Sequence, residues 1–410
     1  MTAWGFPCCG DTAQESIANP EEKFGREEGC ALMILNGVIH TMEGKTIDNG
    51  YIRVENGKIQ QVGRMDQLPD GAELENAVDA RGGHILPGLM DIHCHLGLCG
   101  CDGEDLNETS QVCTPNIRVL DGVNPMDPYV KEAREAGVTC VMVHPGSTNP
   151  IAGQAVLMKT AGRIVDEMVV QAPAAMKFSL GENPKGRDGW PATRMGTAAV
   201  IRELLARSSE YQLKWATAQA DPQEEMPSFD PCLDALRPVV AGEVPAHFHV
   251  HRADDIATAV RIAKEFGLDY AIVHGTEGYL IADYLAREEV PVITGPILTD
   301  RSKGELRQMT LENAALLTRA GVRVAICTDH PETTAPQLLL CAAMAARHGM
   351  EEEDALAAIT INAACIAGVD HRMGSITQGK DADLVVLDGP PLDWRSQVTH
   401  VFIDGREVER

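Results

Sequence analysis

Apolar and polar positions follow two rhythms along the chain. From residue 31, short runs rich in β-branched residues ("ALMILNGVIHTM", "NGYIRVENGKIQQVG", "AVDARGGHILPG") are separated by Asn-Gly and Gly-Gly pairs. Such spacing predicts hairpins, because these residues accept the positive φ that tight turns require. The far end repeats the theme in "DADLVVLDG" and "THVFIDGREVE". Between the two lies a different texture. Strand-like runs ("VTCVMVH", "AAMKFSL", "AHFHVH", "DYAIVH", "VPVITG", "VRVAICTD") alternate with helical patterns ("DDIATAVRIAKEFG", "YLIADYLAREE", "APQLLLCAAMAARHG", "EEDALAAITINAACIAG").

Strand and helix in alternation over some 280 residues predict a parallel sheet with crossover helices. With "ILPGLMDIH" as the first strand and a weaker third near "GQAVLMKT", about eight strands are available, which fits a (β/α)8 TIM barrel. A doubly wound open sheet is the alternative, but no G-x-G-x-x-G follows the first strand. The fold expected is therefore α/β. A barrel occupies 86–374, and a small β-sandwich is built jointly from 31–85 and 375–410. Residues 1–30 form a polar extension with neither a basic start nor an apolar core, so they do not read as a signal peptide.

Active sites of such barrels gather at the C-terminal ends of the strands. Of thirteen histidines, seven fall there: His93 and His95 on the first strand, His144 on the second, His247, His249 and His251 on the fifth, and His274 on the sixth. Lys177 lies in the fourth strand and Asp329 ends the eighth. Residues i and i+2 of a strand share a face, so His93 and His95 both point inward, as do His249 and His251. Burying this many imidazoles without a charge to organise them leaves several hydrogen bonds unmet. A divalent metal held by neutral imidazoles and a carboxylate removes that cost, so "HCH" reads as half of a metal site.

Composition narrows the partners. A net charge of −25 argues against nucleic acid and anionic membranes, which both attract basic surfaces. No stretch has the roughly 18 apolar residues of a membrane helix. The twelve cysteines are scattered, several (Cys140, Cys327, Cys341) inside apolar runs, and predict reduced thiols in a cytoplasmic setting. Cys94, Cys99 and Cys101 lack the C-x2-C spacing of a structural zinc site.

Taken together, the stretches "LPGLMDIHCHLG", "AHFHVHRADDI", "AIVHGTEGYLIADYLA", "AICTDHP", "AITINAACIAGVDHRMGSITQGKDADLVVLDG" and "VFIDGREV" resemble the amidohydrolase superfamily of metal-dependent hydrolases, in its imidazolonepropionase-like and prolidase-like branch. The resemblance covers nearly everything from residue 31 onward and matches nothing in the first thirty residues. It implies a centre of one or two divalent ions, commonly zinc, with manganese or iron as substitutes. Carried over by position, His93, His95 and Asp329 would hold the more buried ion, and His249 and His274 the more exposed one. Lys177 would bridge them as a carbamate, a role for which Glu182 is the alternative. His251 would then face the substrate carbonyl or support a ligand.

The implied reaction is hydrolysis of an amide, cyclic amide or dipeptide-like C–N bond. The metal lowers the pKa of a bound water from 15.7 towards about 7. Asp329 takes its proton and returns it to the leaving nitrogen, and His274 or His251 polarises the carbonyl. Substrate contacts are expected from His144, His330 and the Gly- and Pro-rich loop after the fourth strand, with Lys185, Arg187 and Arg194 as candidate cations for a carboxylate. Three rivals stand beside this. A mononuclear deaminase of the same superfamily is disfavoured by Lys177. A metal-free scaffold is disfavoured by the intact ligand set. A phosphotriesterase-like activity would share the centre. The partner is a small-molecule substrate, and the exposed β segments leave surface for self-association.

Overall fold

The computed structural model describes residues 31–69, 77–100, 103–186 and 189–409. The expected extension at 1–30 and Arg187 lie outside them. The first five strands, β1 (Ala31–Ile39), β2 (Ile47–Glu55), β3 (Lys58–Arg64), β4 (Ala77–Asp79) and β5 (His84–Pro87), precede the barrel. They join β16 (Leu384–Leu387), β17 (Val398–Ile403) and β18 (Arg406–Glu407) in one eight-stranded sheet. Its order is β18-β17-β16-β5-β1-β2-β3, with β4 pairing to β1. The two chain ends thus share a core in which Ile34, Ile52, Ile85, Leu384 and Phe402 are buried together. The turns are those the Gly pairs predict: Asn56 and Gly57 have φ of 51° and 74°, and Asp404 and Gly405 have 51° and 71°.

The second eight-stranded sheet is a nearly closed barrel. It begins with β6 (Leu89–Cys94), after which a two-residue hairpin, β7 (Cys99–Gly100) and β8 (Gly103–Glu104), leads to α1 (Pro128–Glu135). It continues through β9 (Val138–Val143), β10 (Ile151–Lys159), the one-turn α2 (Val165–Met168), β11 (Val169–Ser179), β12 (Ala246–Val250), β13 (Tyr270–His274), β14 (Val292–Thr294) and β15 (Val324–Ile326), each strand beside the next.

The sheet is not wholly parallel. β10 runs antiparallel to both β9 and β11, whereas every other neighbouring pair is parallel. The expectation of an all-parallel sheet is corrected here, and chain length is the reason. Seven residues separate Val143 from Ile151, too few for a parallel crossover, which takes a dozen or more.

Two further departures concern helices. Between β11 and β12 the chain makes α3 (Arg194–Ala220), of 27 residues, and α4 (Pro231–Val240), a span the periodicity did not mark. The pattern "EEDALAAITINAACIAG" was expected as one helix and forms two, Glu352–Ala357 and Ile361–Ile366, broken at Thr360 with φ −139° and ψ −100°.

The barrel closes at the seam between β15 and β6, where loop and side-chain bonds replace a ladder. Asp329 N–H donates to His93 O at 3.1 Å, His95 N–H to His330 O at 3.0 Å and Met90 N–H to Ile359 O at 2.9 Å. Asp91, fully buried, accepts from the Thr328 hydroxyl, the Thr328 N–H at 3.3 Å and the His93 N–H at 3.4 Å.

At the opposite end of the barrel, Lys159 at the close of β10 reaches into the terminal sheet. Its buried ammonium meets Asp381 at 3.0 Å, Asp383 at 3.1 Å and Asp404. Burial opposes its charge, but the three carboxylates win and raise its pKa. Asp381 is opposed by burial too, yet Lys159, Lys58 and Arg372 hold its carboxyl down at about 2. That depressed pKa contributes stability present above the ordinary carboxylate range and lost as pH falls towards 2.

Removing one partner of a buried ion group leaves the rest uncompensated. Lys159→Met is therefore expected to cost about 3–5 kcal/mol in denaturant unfolding at pH 7. The deficit should shrink as the pH drops towards 4, because protonation then relieves the crowded carboxylates. A deficit independent of pH would contradict this.

Candidate metal centre

The side chains that converge at the C-terminal end of the barrel form two groups whose potential ligand atoms lie within 4.8 Å of one another. The first is His93, His95 and Asp329. Both histidines leave β6 on its inner face, and Asp329 Oδ1 stands 3.4 Å from His93 Nε2 and 3.3 Å from His95 Nε2. The His95 ring is turned by its Nδ1, 2.8 Å from the His144 carbonyl. That carbonyl can only accept, so Nδ1 carries the proton and Nε2 is left as a lone pair facing Asp329.

The second group is His249, His251 and His274, all buried. His274 Nδ1 donates to the Gly295 carbonyl at 2.7 Å, which leaves its Nε2 as a lone pair 2.9 Å from His249 Nδ1. His251 Nδ1 lies 2.8 Å from the Thr276 hydroxyl, and its ring stacks on His274 at 4.8 Å. His249 Nε2 and His251 Nε2 are buried without a hydrogen-bond partner, and so is His93 Nδ1. His274 and Asp329 adopt left-handed φ of 68° and 53°, a costly backbone for such residues that concentrates at functional sites.

Lys177 is fully buried beside the first group, with Nζ 3.2 Å from His93 Nε2. Burial lowers its pKa to about 8, against the pull of Asp329. Burial likewise drives His93, His249 and His251 well below the ordinary imidazole range, and His274 to about 4. Burial opposes ionisation of Asp329 as well, but His274 and His93 hold its carboxyl well below the usual range. The set thus holds buried imidazoles, with protonation disfavoured at His93, His249, His251 and His274, one carboxylate, one amine whose charge burial disfavours, and orphaned ring nitrogens. That donor chemistry fits a divalent cation.

Other candidate residues fall elsewhere. His144 is fully buried, with Nε2 3.0 Å from His247 Nδ1, and borders neither of the two cavities over the centre. His330 is fully buried against Tyr129 and accepts the Ala335 N–H at 3.3 Å. Glu182 is exposed, its carboxylate beside Gly304 rather than among the histidines. Lys185 borders neither cavity, and Arg194 is spent on Asp255 at 2.9 Å and Glu305 at 2.7 Å. Among the described residues, the loop cysteines join neither ligand group, and Cys99 points its thiol to the His95 carbonyl.

Three residues of the site escaped the sequence reading. Asp91 could have been found, since it shares a strand face with His93. Thr276, which turns His251, and Lys303, which borders both cavities, carry no local signal.

Two cavities open over the centre. One, of about 130 Å³, is bordered by His251, His274, Ile297, Leu306, Met309 and Asp329 among others. The other, of about 790 Å³, is bordered by His95, Asn107, Tyr129, Ser147, His249 and Asp329 among others. No helix among the described residues is long and apolar enough to cross a membrane.

Comparison with known proteins places this geometry. The profile of the amidohydrolase family matches residues 84–408. The chain is 30% identical over 390 residues to the amidohydrolase tasK of Hapsidospora irregularis, covering 87% of this chain but 39% of that protein's length. It is 26% identical over 373 residues to an imidazolonepropionase from Geobacillus thermodenitrificans, covering 83% of this chain and 84% of that one. A crystal structure of an amidohydrolase from Thermotoga maritima superimposes with a TM-score of 0.88 at 42% identity, over 92% of this chain and all of that one. A prolidase structure complexed with N-methylphosphonate-L-proline shares the fold, with a TM-score of 0.60 at 18% identity. The chain belongs to the amidohydrolase family.

Proposed function

We propose that this chain is a metal-dependent hydrolase that cleaves a C–N bond in a small amide, cyclic amide or dipeptide-like substrate. The observation that carries the reading is the convergence of His93, His95 and Asp329 with His249, His251 and His274 beneath two open cavities. His93, His95 and Asp329 would hold one divalent ion, with zinc the first choice for an imidazole-rich set. His249 and His274 would hold a second. When bound, the ions supply Lewis acidity and a water acidic enough to ionise near neutral pH.

The chain's own groups do the rest. Asp329 stays ionised and borders both cavities, so its Oδ atoms can take a proton from the attacking water and return it to the leaving nitrogen. His251 is turned by Thr276 so that Nε2 is free to polarise the carbonyl. A lysine with a pKa of about 8 is partly neutral amine at pH 7–8. Lys177 can therefore add to carbon dioxide, forming an N–C bond and releasing a proton. The carbamate replaces a cation that would oppose metal binding with an anion that favours it. The exposed position of Glu182 favours Lys177 for the bridge. Free thiols at all eight described cysteines support a reducing, cytoplasmic setting.

Elemental analysis of protein purified without chelator and with bicarbonate tests the reading, paired with a screen of amides and dipeptides. About two zinc or manganese ions per chain are expected, as in two-metal hydrolytic sites. Chelation should abolish turnover and the metal restore it. A single ion per chain would favour the deaminase chemistry, and none after reconstitution would contradict the proposal. Asp329→Asn is expected to lower kcat by about 10²–10⁴-fold. Lys177→Ala should retain at most one ion per chain, and full occupancy in that variant would exclude the bridging role.

A further inference from the structure

One cation at the mouth of the barrel has no part in the centre described above. Lys303 lies between β14 and β15, at the entry to the short turn Gly304–Leu306. Lys303, Asp329 and Glu332 are the residues common to the borders of both cavities. Lys303 and the proposed proton carrier therefore border the same two cavities.

The partners of Lys303 leave it undercommitted. Its Nζ donates to Asn183 Oδ1 at 3.1 Å, and Asn183 Nδ2 donates in turn to Ser147 Oγ at 2.6 Å. Among the described residues, no carboxylate forms an ion pair with it. An ammonium has three protons to give, and here one goes to a neutral amide. Burial lowers its pKa while Glu305, Asp329, Glu332 and Glu182 oppose that from a distance. Glu305 and Asp329 are engaged elsewhere, by Arg194 and by the histidines. Glu332, which borders both cavities, and Glu182 act on it from a distance without forming an ion pair, so a partly desolvated cation facing open volume still has protons to give to a bound anion.

The position is built rather than incidental. Glu305 is 1% exposed and takes hydrogen bonds from Arg194 at 2.7 Å and from the Glu182 N–H at 2.8 Å. Arg194, the first residue of α3, also binds Asp255 near the start of α5 (Ala253–Phe266). Gly181, with φ 87°, passes so close that a Cβ would lie 2.5 Å from Glu305 Oε1. Loops after the fourth and seventh strands are thereby locked together, and Lys303 is presented from the locked turn.

We propose that Lys303 binds an anionic group of the substrate, a carboxylate, and so selects amides or cyclic amides that carry one within reach of the scissile bond. This rests on the hydrolase reading. It moves the anion-binding role from the strand-four loop, where Arg194 is already paired, to the strand-seven loop.

The test uses the full metal-loaded chain, wild type and with Lys303→Met, Lys303→Gln or Lys303→Arg. Glutarate binding is measured by calorimetry. Hydrolysis of N-acetyl amino acids is compared with that of their C-terminal carboxamides. A charged hydrogen bond is worth enough that Lys303→Met should weaken glutarate binding by at least about tenfold and cut the preference for the acid over the carboxamide by a similar factor. Lys303→Arg should keep most of both, and Lys303→Gln gives the same readout should the methionine variant fail to fold. Unchanged glutarate binding in both neutral variants would overturn the assignment. So would an equal loss of kcat/KM for acid and carboxamide, which would mark a role at the carbonyl while leaving the hydrolase reading intact. Glutarate binding that depends on Lys303 in a protein that hydrolyses no amide would instead keep the assignment and remove the hydrolase reading.

Discussion

The site depends on how the last strand of the barrel is fastened to the first. β15 and β6 share no regular ladder, and Asp91 supplies what the backbone does not. Its buried carboxylate gathers the Thr328 hydroxyl and two backbone N–H groups, while burial pushes its pKa up to about 7. With Thr328 fixed, the next residue turns into a left-handed conformation, its N–H meets the His93 carbonyl, and the Asp329 carboxylate swings inward between His93 and His95. Geometry that would be costly in isolation is held because the seam over-determines it.

Around that seam the chain solves one electrostatic problem twice. Ionisable groups are buried where each can be neutral or paired, and the unmatched remainder marks function. Lys159 among three aspartates, and Glu305 between Arg194 and the Glu182 N–H, are ion-paired groups and act as clamps, although one buried oxygen of Glu305 and one of Asp383 keep no hydrogen-bond partner. The histidines at the barrel mouth are unmatched: His93, His249 and His251 each keep a buried ring nitrogen with no partner. In a chain of net charge −25 a divalent cation meets no long-range penalty on approach.

Much of this was legible in the sequence, because strand faces alternate with period two. "HCH", "HFHVH", His274 and Asp329 could be assigned to strand ends, and they converge. What a face does not give is depth along the barrel axis. His247, His249 and His251 share one face, yet His247 pairs in register with Lys177, one layer down, and is sealed there against His144. The layer above reaches the cavities. His144 is sealed in that lower layer with His247, whereas His330 follows Asp329 and packs against Tyr129, and neither borders the two cavities. The direction of β10 followed from loop length, a signal weaker than the strand pattern. Thr276 and Lys303 sit on loops where neither period applies, and only their packing exposes them.

The central claim is that two divalent ions complete this centre, one among His93, His95 and Asp329 and one among His249 and His274. Anomalous diffraction above and below the zinc edge, from crystals grown with bicarbonate and without chelator, tests it most directly. The account predicts two anomalous peaks beside those nitrogens and continuous density beyond Lys177 Nζ for a bridging carbamate. The absence of any peak, with His93 and His95 hydrogen-bonded to Asp329 across an ion-free gap, would contradict it.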